Sequence, residues 1–376
     1  MTETILAQPR NAASRTRVLL TYPSWTLYRS TDREYIYTLF VRLAEKYPLE
    51  FIPNTNVLGL LAHNGRYLLD RALGLFGRFP GAAHLSVRVH APMGADVAFA
   101  YGPFPDPAPE LPILWEQTFA PTSARIDAVR WREMVRAQRR RFVDRADRIV
   151  TATEASVEHF RLMFPESAHK VSCIPYYLPH LEAVAEHDVI ARFERDGPLD
   201  VLFVGKAARR KGLDILIQAY ESLPSHIRRE LRLTVISAMV DGRVSLPRGV
   251  VHYAHVPDVR AFLARSHVLA LPTKEEAFGL ILVEAMAHGC VVLTADAEIQ
   301  RSIVGPGGLF ADPFGVEAVR KALKAIVGDR ASLYVRAHAL RRRFITHLHH
   351  GNVGRAYASL VQRAANSGVP SAAIGV

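Results

Sequence analysis

Short runs of Val, Ile, Leu and Phe alternate with longer amphipathic segments along most of the chain, and this alternation restricts the fold more than any other feature. A brief apolar run without polar alternation suits a strand buried on both faces. Amphipathic stretches between such runs suit helices that cover a parallel sheet. In the first half the predicted strands are RVLLTY (17–22), LEFIP (50–53 with its flank), DVAFAY (96–101), ILWEQT (113–118), RIVTAT (148–153) and VSCIP (171–175). In the second half they are DVLFVG (200–205), LRLTVIS (231–237), VVHYA (250–254), HVLALP (267–272) and VVLTA (291–295), with DILIQAYESL (214–223) as an intervening helix. The expected class is α/β.

At 376 residues the chain exceeds what one hydrophobic core usually organises, so two domains facing across a cleft are expected. Pro179, Gly197 and Pro198 break the pattern between them and place a hinge near 177–198. The expected division is 1–185, 186–345 and a last piece, 346–376, whose helix GNVGRAYASLVQRAA packs back on the first domain. Cys173 and Cys290 lie in apolar stretches and read as free thiols of a reducing compartment. No segment approaches the roughly 20 apolar residues that span a bilayer. The first 16 residues lack the apolar core of a secretory signal, so a cytoplasmic location is expected.

A net charge of +11 attracts anionic partners: nucleic acid, a membrane face or phosphorylated ligands. The densest basic stretch, residues 130–148, carries Trp131, Val135, Phe142, Ala146 and Ile149 at helical spacing. That pattern predicts a surface helix with one core face and a solvated arginine face, and no nucleic acid is expected as a partner. LLAHNGRYLLDRALGLFGRFP (60–80) mixes Leu and Phe with Arg66, Arg71 and Arg78. It suits an interfacial helix on the inner face of an anionic membrane, or equally a helix packed on a sheet.

Ligands of an open parallel sheet bind beyond the carboxyl ends of its strands. Two such ends in the second half carry unusual polar residues. In VLFVGKAARRKGLDIL, Gly205 permits a sharp exit from the strand, and Lys206 and Lys211 bracket a loop able to wrap an anion. A solvated basic turn would read the same way. In KEEAFGLILVEAMAHGC, Gly279 allows close backbone approach, and a helix beginning near Leu280 turns its positive end to the same place. Glu276 stands at the mouth of that helix, where a carboxylate accepts hydrogen bonds from sugar hydroxyls. Glu284 stands on the second turn, about 7 Å below the start, among apolar neighbours that leave it needing a partner. A helix cap and one half of a core ion pair would explain either glutamate separately.

Glu276-Ala-Phe-Gly-Leu-Ile-Leu-Val-Glu284 followed by AMAHGCVV resembles the two-glutamate signature of the retaining, nucleotide-sugar-dependent glycosyltransferases of family 4, which have the GT-B fold of two facing Rossmann-like, doubly wound domains. Gly205 to Gly212 is similar to that family's diphosphate loop, and ADRIVTATEAS, KVSCIPYYLP and SIVGPGGLFADPFGVEAVRKAL resemble further segments of it. The likeness covers most of 146–345.

The resemblance implies a metal-independent transfer of a hexose from a UDP- or GDP-sugar to a glycan or lipid-linked acceptor. Lys206 and Lys211 would neutralise the leaving diphosphate in place of a metal, and the chain has no Asp-x-Asp. Glu276 would hold the donor sugar. Phe278, Gly279 and Leu280 would offer backbone contacts, with Gly205 shaping the loop, and Glu284 would grip the ribose. Two departures fall on the resemblance: Lys206 stands where the family commonly has Arg, and Thr118 where it usually has a histidine. YPSWTLYRS (22–30) replaces a glycine-rich loop, and Trp25, His90 and Glu116 are the candidate acceptor contacts. A catalytically degenerate sugar-nucleotide binder, or a basic membrane- or nucleic-acid-binding protein on the same fold, is the competing expectation.

Overall fold

A computed structural model describes residues 15–21, 42–53, 95–101, 111–121, 127–238 and 245–367. Two sheets of six strands each carry the fold, and every pairing in them is parallel. The first holds β1 (Thr16–Thr21), β2 (Leu49–Pro53), β3 (Val97–Tyr101), β4 (Ile113–Glu116), β5 (Arg148–Thr151) and β6 (Val171–Cys173), in the order β2-β1-β3-β4-β5-β6. The second holds β7 (Leu199–Val204), β8 (Leu231–Ile236), β9 (Val251–Tyr253), β10 (Val268–Leu271), β11 (Val291–Ala295) and β12 (Leu309–Ala311), in the order β12-β11-β10-β7-β8-β9. Its strand order reverses between β7 and β10, which lie side by side. Such a reversal opens a crevice at the carboxyl ends of the two strands.

The first sheet is covered by α1 (Ala128–Arg145) and α2 (Glu154–Met163). Around the second run α3 (Glu186–Glu194), α4 (Leu213–Glu221), α5 (Ser225–Arg229), α6 (Arg260–Arg265), α7 (Leu280–Ala287), α8 (Glu298–Val304), α9 (Val316–Gly328) and α10 (Arg330–Arg343). The chain then returns through α11 (His350–Ser367).

Alternation along the strands sorts the core of the first sheet into two clusters. Leu114 and Val150 point to one face, where Val353, Tyr357, Leu360 and Val361 of α11 pack with Phe99. Ile113, Trp115 and Ile149 point to the other, against Val135, Phe142 and Phe160 of α1 and α2. Trp115, Phe160 and Tyr357 are at most 1% exposed, and each such side chain contributes roughly 1.5–3 kcal/mol by burial. The second sheet builds its own cluster from β7, β10, β11 and the helices around them.

The arginine-rich helix differs in two respects from the sequence expectation. It stops at Arg145, because Ala146 turns extended, so Ile149 fills the core from β5 rather than from the helix. Arg139 does not join the solvated face: it is half-buried, its guanidinium donates to the carbonyl of Thr118 and it lies over the Phe119 ring, 5.2 Å from the centroid. The strand β12 was not foreseen. It has three residues, two of them half-buried, and its apolar run ends after those three.

Candidate active site

The loops that leave β7 and β10 are stitched together, and glycines set how closely. Gly212 caps α4 with φ +79, and a Cβ there would lie 1.9 Å from the carbonyl oxygen of Pro272 at the end of β10. Only glycine fits both the left-handed backbone and that approach. Gly205 is packed by Lys211: a Cβ would meet Lys211 Cγ at 2.9 Å, so the lysine stem lies flat over the strand exit. The Lys274 amide donates to the Arg210 carbonyl at 2.8 Å, and Lys274 Nζ pairs with Asp214 Oδ2 at 2.6 Å. Lys211 Nζ, the second cation of this seam, donates to Glu276 Oε2, with both side chains largely buried.

Gly279, at φ +84, starts α7 with no side-chain cap, so the first-turn amides at its positive end keep no partner from a capping residue. A Cβ at Gly279 would lie 3.2 Å from Glu276 Cγ, which places that carboxylate arm against the helix mouth. Phe278 is 3% exposed, and its ring stacks on Tyr176 at 4.6 Å and 35°. Tyr176 follows β6, so this stack joins the loop before α7 to the first sheet. Leu280 is half-buried beside it.

Glu284 is half-buried, and among the described residues its carboxylate accepts no hydrogen bond. Burial first, then the negative charge of Asp258, pushes its pKa up to about 7, opposed by Arg260. Lys206 is exposed and, among the described residues, makes no ion pair. The second half therefore gathers Gly205, Lys211, Glu276, Phe278 and Gly279 at one crevice, with Lys206 on its rim and Glu284 one turn down α7.

Of the acceptor candidates, Glu116 is the last residue of β4 and is 2% exposed. Its Oε2 accepts from the Tyr357 hydroxyl at 3.2 Å, while Oε1 is buried with no partner among the described residues. Burial pushes its pKa up to about 8, with the Tyr357 hydrogen bond pulling the other way. Trp25 and His90 lie outside the described residues, as do 22–30 and 60–80. Thr118 is half-buried, with its carbonyl taken by Arg139. Sequence reasoning missed Tyr176, Asp214, Lys274 and the Asp258–Arg260 pair beside Glu284. The tyrosine pair before Pro179 is a signal for Tyr176; nothing local marks Tyr357.

Residues 190–346 match the family model described as glycosyl transferases group 1. The D-inositol 3-phosphate glycosyltransferase of Xylanimonas cellulosilytica is 28% identical over 228 residues, which are 53% of this chain and 54% of that protein. The lipopolysaccharide glucosyltransferase WaaG of Escherichia coli K12 is 29% identical over 142 residues, 33% of this chain and 36% of that one. The matches thus span about half, or less, of the length of these curated relatives. The solved sucrose-phosphate synthase of Thermosynechococcus elongatus superposes with a TM-score of 0.63 at 16% identity, covering 94% of this chain and 100% of that one. Anabaena HepE in complex with UDP gives a TM-score of 0.58 at 15% identity, covering 93% and 100%. At such identities the structural likeness speaks for the fold alone. With two Rossmann-like sheets, the chain has the GT-B fold of these solved glycosyltransferases, and its crevice-bearing segment, residues 190–346, is similar to the glycosyl transferases group 1 family.

Proposed function

We propose that the protein is a retaining hexosyltransferase that uses a UDP- or GDP-sugar, without a metal, to glycosylate a glycan or a lipid-linked saccharide. The observation that carries this reading is the Lys211–Glu276 pair at the β7/β10 crevice, beside the uncapped start of α7. A diphosphate has two anionic groups to place, and the crevice offers a lysine amine, an exposed lysine on its rim and a helix amino end. Relatives named as inositol phosphate, mannosyl and glucosyl transferases support a sugar acceptor and a hexose donor.

Donor entry exchanges the internal pair for external ones. Lys211 turns from Glu276 to the diphosphate, and Glu276 turns to the hydroxyls of the donor sugar. Lys206 reaches the diphosphate from the rim, and the Phe278-Gly279-Leu280 backbone lies along sugar and phosphate. Glu284, whose carboxylate has no protein donor among the described residues, takes the ribose hydroxyls. The acceptor hydroxyl then attacks the anomeric carbon on the face the nucleotide leaves. One C–O bond to the diphosphate breaks, one forms to the acceptor, and the hydroxyl proton passes to the departing phosphate oxygen. The chain's part is to orient both substrates and to hold charge.

Incubation with UDP- and GDP-hexoses and octyl hexosides, with the anomeric configuration of the product read by NMR, tests the reading. Retention is expected; an inverted product contradicts it. The +11 charge supports peripheral association with an anionic membrane on the cytoplasmic side, which flotation with anionic vesicles tests.

A further inference from the structure

Outside the β7/β10 crevice, Glu116 keeps a buried carboxylate oxygen, Oε1, with no hydrogen-bond partner among the described residues, and lines a small pocket. Glu116 closes β4 on the face covered by α11, and the carboxyl ends of β4, β5 and β6 meet there in a small pocket lined by Glu116, Gln117, Thr118, Ala152 and Tyr176. The pocket has room for about one water-sized group. Its Tyr176 wall is the ring that stacks on Phe278, so it opens beside the donor motif but on the opposite sheet.

We propose that this pocket takes a single hydroxyl of the saccharide acceptor, hydrogen-bonded to Glu116, with Tyr357 holding the carboxyl in place from α11. The assignment rests on the transferase reading above and deepens it. A sugar hydroxyl has the size of the water the pocket admits, and the unpartnered Oε1 supplies what such a hydroxyl needs. Tyr357 fixes the other oxygen, so the side chain is oriented before the acceptor arrives. The elevated pKa agrees with a neutral carboxyl, able both to donate to a hydroxyl and to accept from one. Tyr357 on α11 is the polar side chain bonded to it, and Arg139 of α1 is engaged with the Thr118 carbonyl. Every residue lining the pocket comes from the ends of β4, β5 and β6, and none from the Gly205–Gly212 loop or from 276–284, which favours an acceptor hydroxyl over one of the donor.

The test is transfer to a series of octyl hexosides, each with one hydroxyl replaced by hydrogen, by the wild-type protein, Glu116→Ala and Glu116→Gln. One deoxy position should cost the wild type about tenfold or more in kcat/KM. Glu116→Ala should no longer distinguish that position, and Glu116→Gln should keep most of the discrimination, because an amide also donates and accepts. Thermal stabilisation by the donor should be equal in all three proteins. Unchanged discrimination in Glu116→Ala overturns the assignment, as does a loss of donor stabilisation in that variant. Refusal of every octyl hexoside by a wild-type protein that donors still stabilise also overturns it, while leaving the donor reading standing. Absence of stabilisation by any donor removes the transferase reading itself.

Discussion

Lys211 and Glu276 are ion-paired across the two loops that leave the adjacent strands β7 and β10, and both side chains are largely withdrawn from water. Each satisfies a charge that a donor would otherwise have to satisfy. Under the proposed donor placement, Lys211→Ala removes a diphosphate contact, and it leaves Glu276 without its cation. Turnover should fall on the order of 100-fold or more, the size seen when one charge-stabilising donor is lost. Initial-rate kinetics check it, with Lys211→Arg as the variant that keeps the charge.

Gly212 joins the same two loops by backbone alone. Gly212→Ala forces a Cβ into the Pro272 carbonyl, 1.9 Å away, at a φ of +79 that side chains rarely adopt. A stability loss of about 2 kcal/mol or more is expected, read by denaturant unfolding. Gly328, whose Cβ would meet nothing within 4 Å, is the control position.

Glu116 gives the fold a dependence on pH. Its native pKa of about 8 lies above the ordinary carboxylate value of 4.5, because burial disfavours the charged form. The native state then holds a proton that the unfolded chain releases between pH 4.5 and about 8. Stability from the neutral carboxyl is full below that window and declines as pH rises through it. Glu116→Gln cannot ionise, so its stability should fall less than the wild type's between pH 5 and 8 in parallel urea titrations. Parallel declines would assign the effect to other groups.

Glu284 predicts the opposite trend for the donor. With a pKa near 7 in the free protein, it loses its proton on binding if, as proposed, it offers ribose hydroxyls a carboxylate. Donor affinity should weaken as pH drops below 7, by at most about tenfold per unit for one coupled proton. Glu284→Gln should bind more weakly and show a flatter profile by calorimetric titration.

Much of this was legible in the chain, and the rest was hidden for physical reasons. Strands such as VVLTA and HVLALP announce themselves because both faces are buried, which leaves an unbroken apolar run. The strand β12 did not, because Leu309 and Phe310 are only half-buried and the run ends at Ala311. The two-glutamate segment was readable since its parts are local: a glycine, a helix start and two carboxylates within one turn-and-helix unit. Glu116 and Tyr357 are 241 residues apart, so no spacing reports their contact. Arg139 sits in an arginine run whose helical phase cannot tell which guanidinium turns inward to a carbonyl from another segment. The fold supplies that partner, not the helix.

The most direct measurement is the thermal midpoint of the wild-type protein and of Glu284→Ala against a panel of UDP- and GDP-hexoses, since a ligand that binds only the native state raises it. A saturable rise with at least one nucleotide sugar, lost in Glu284→Ala, is the predicted result. No rise with any member of the panel, or an equal rise in both proteins, would contradict the placement of the donor across the β7/β10 crevice and α7.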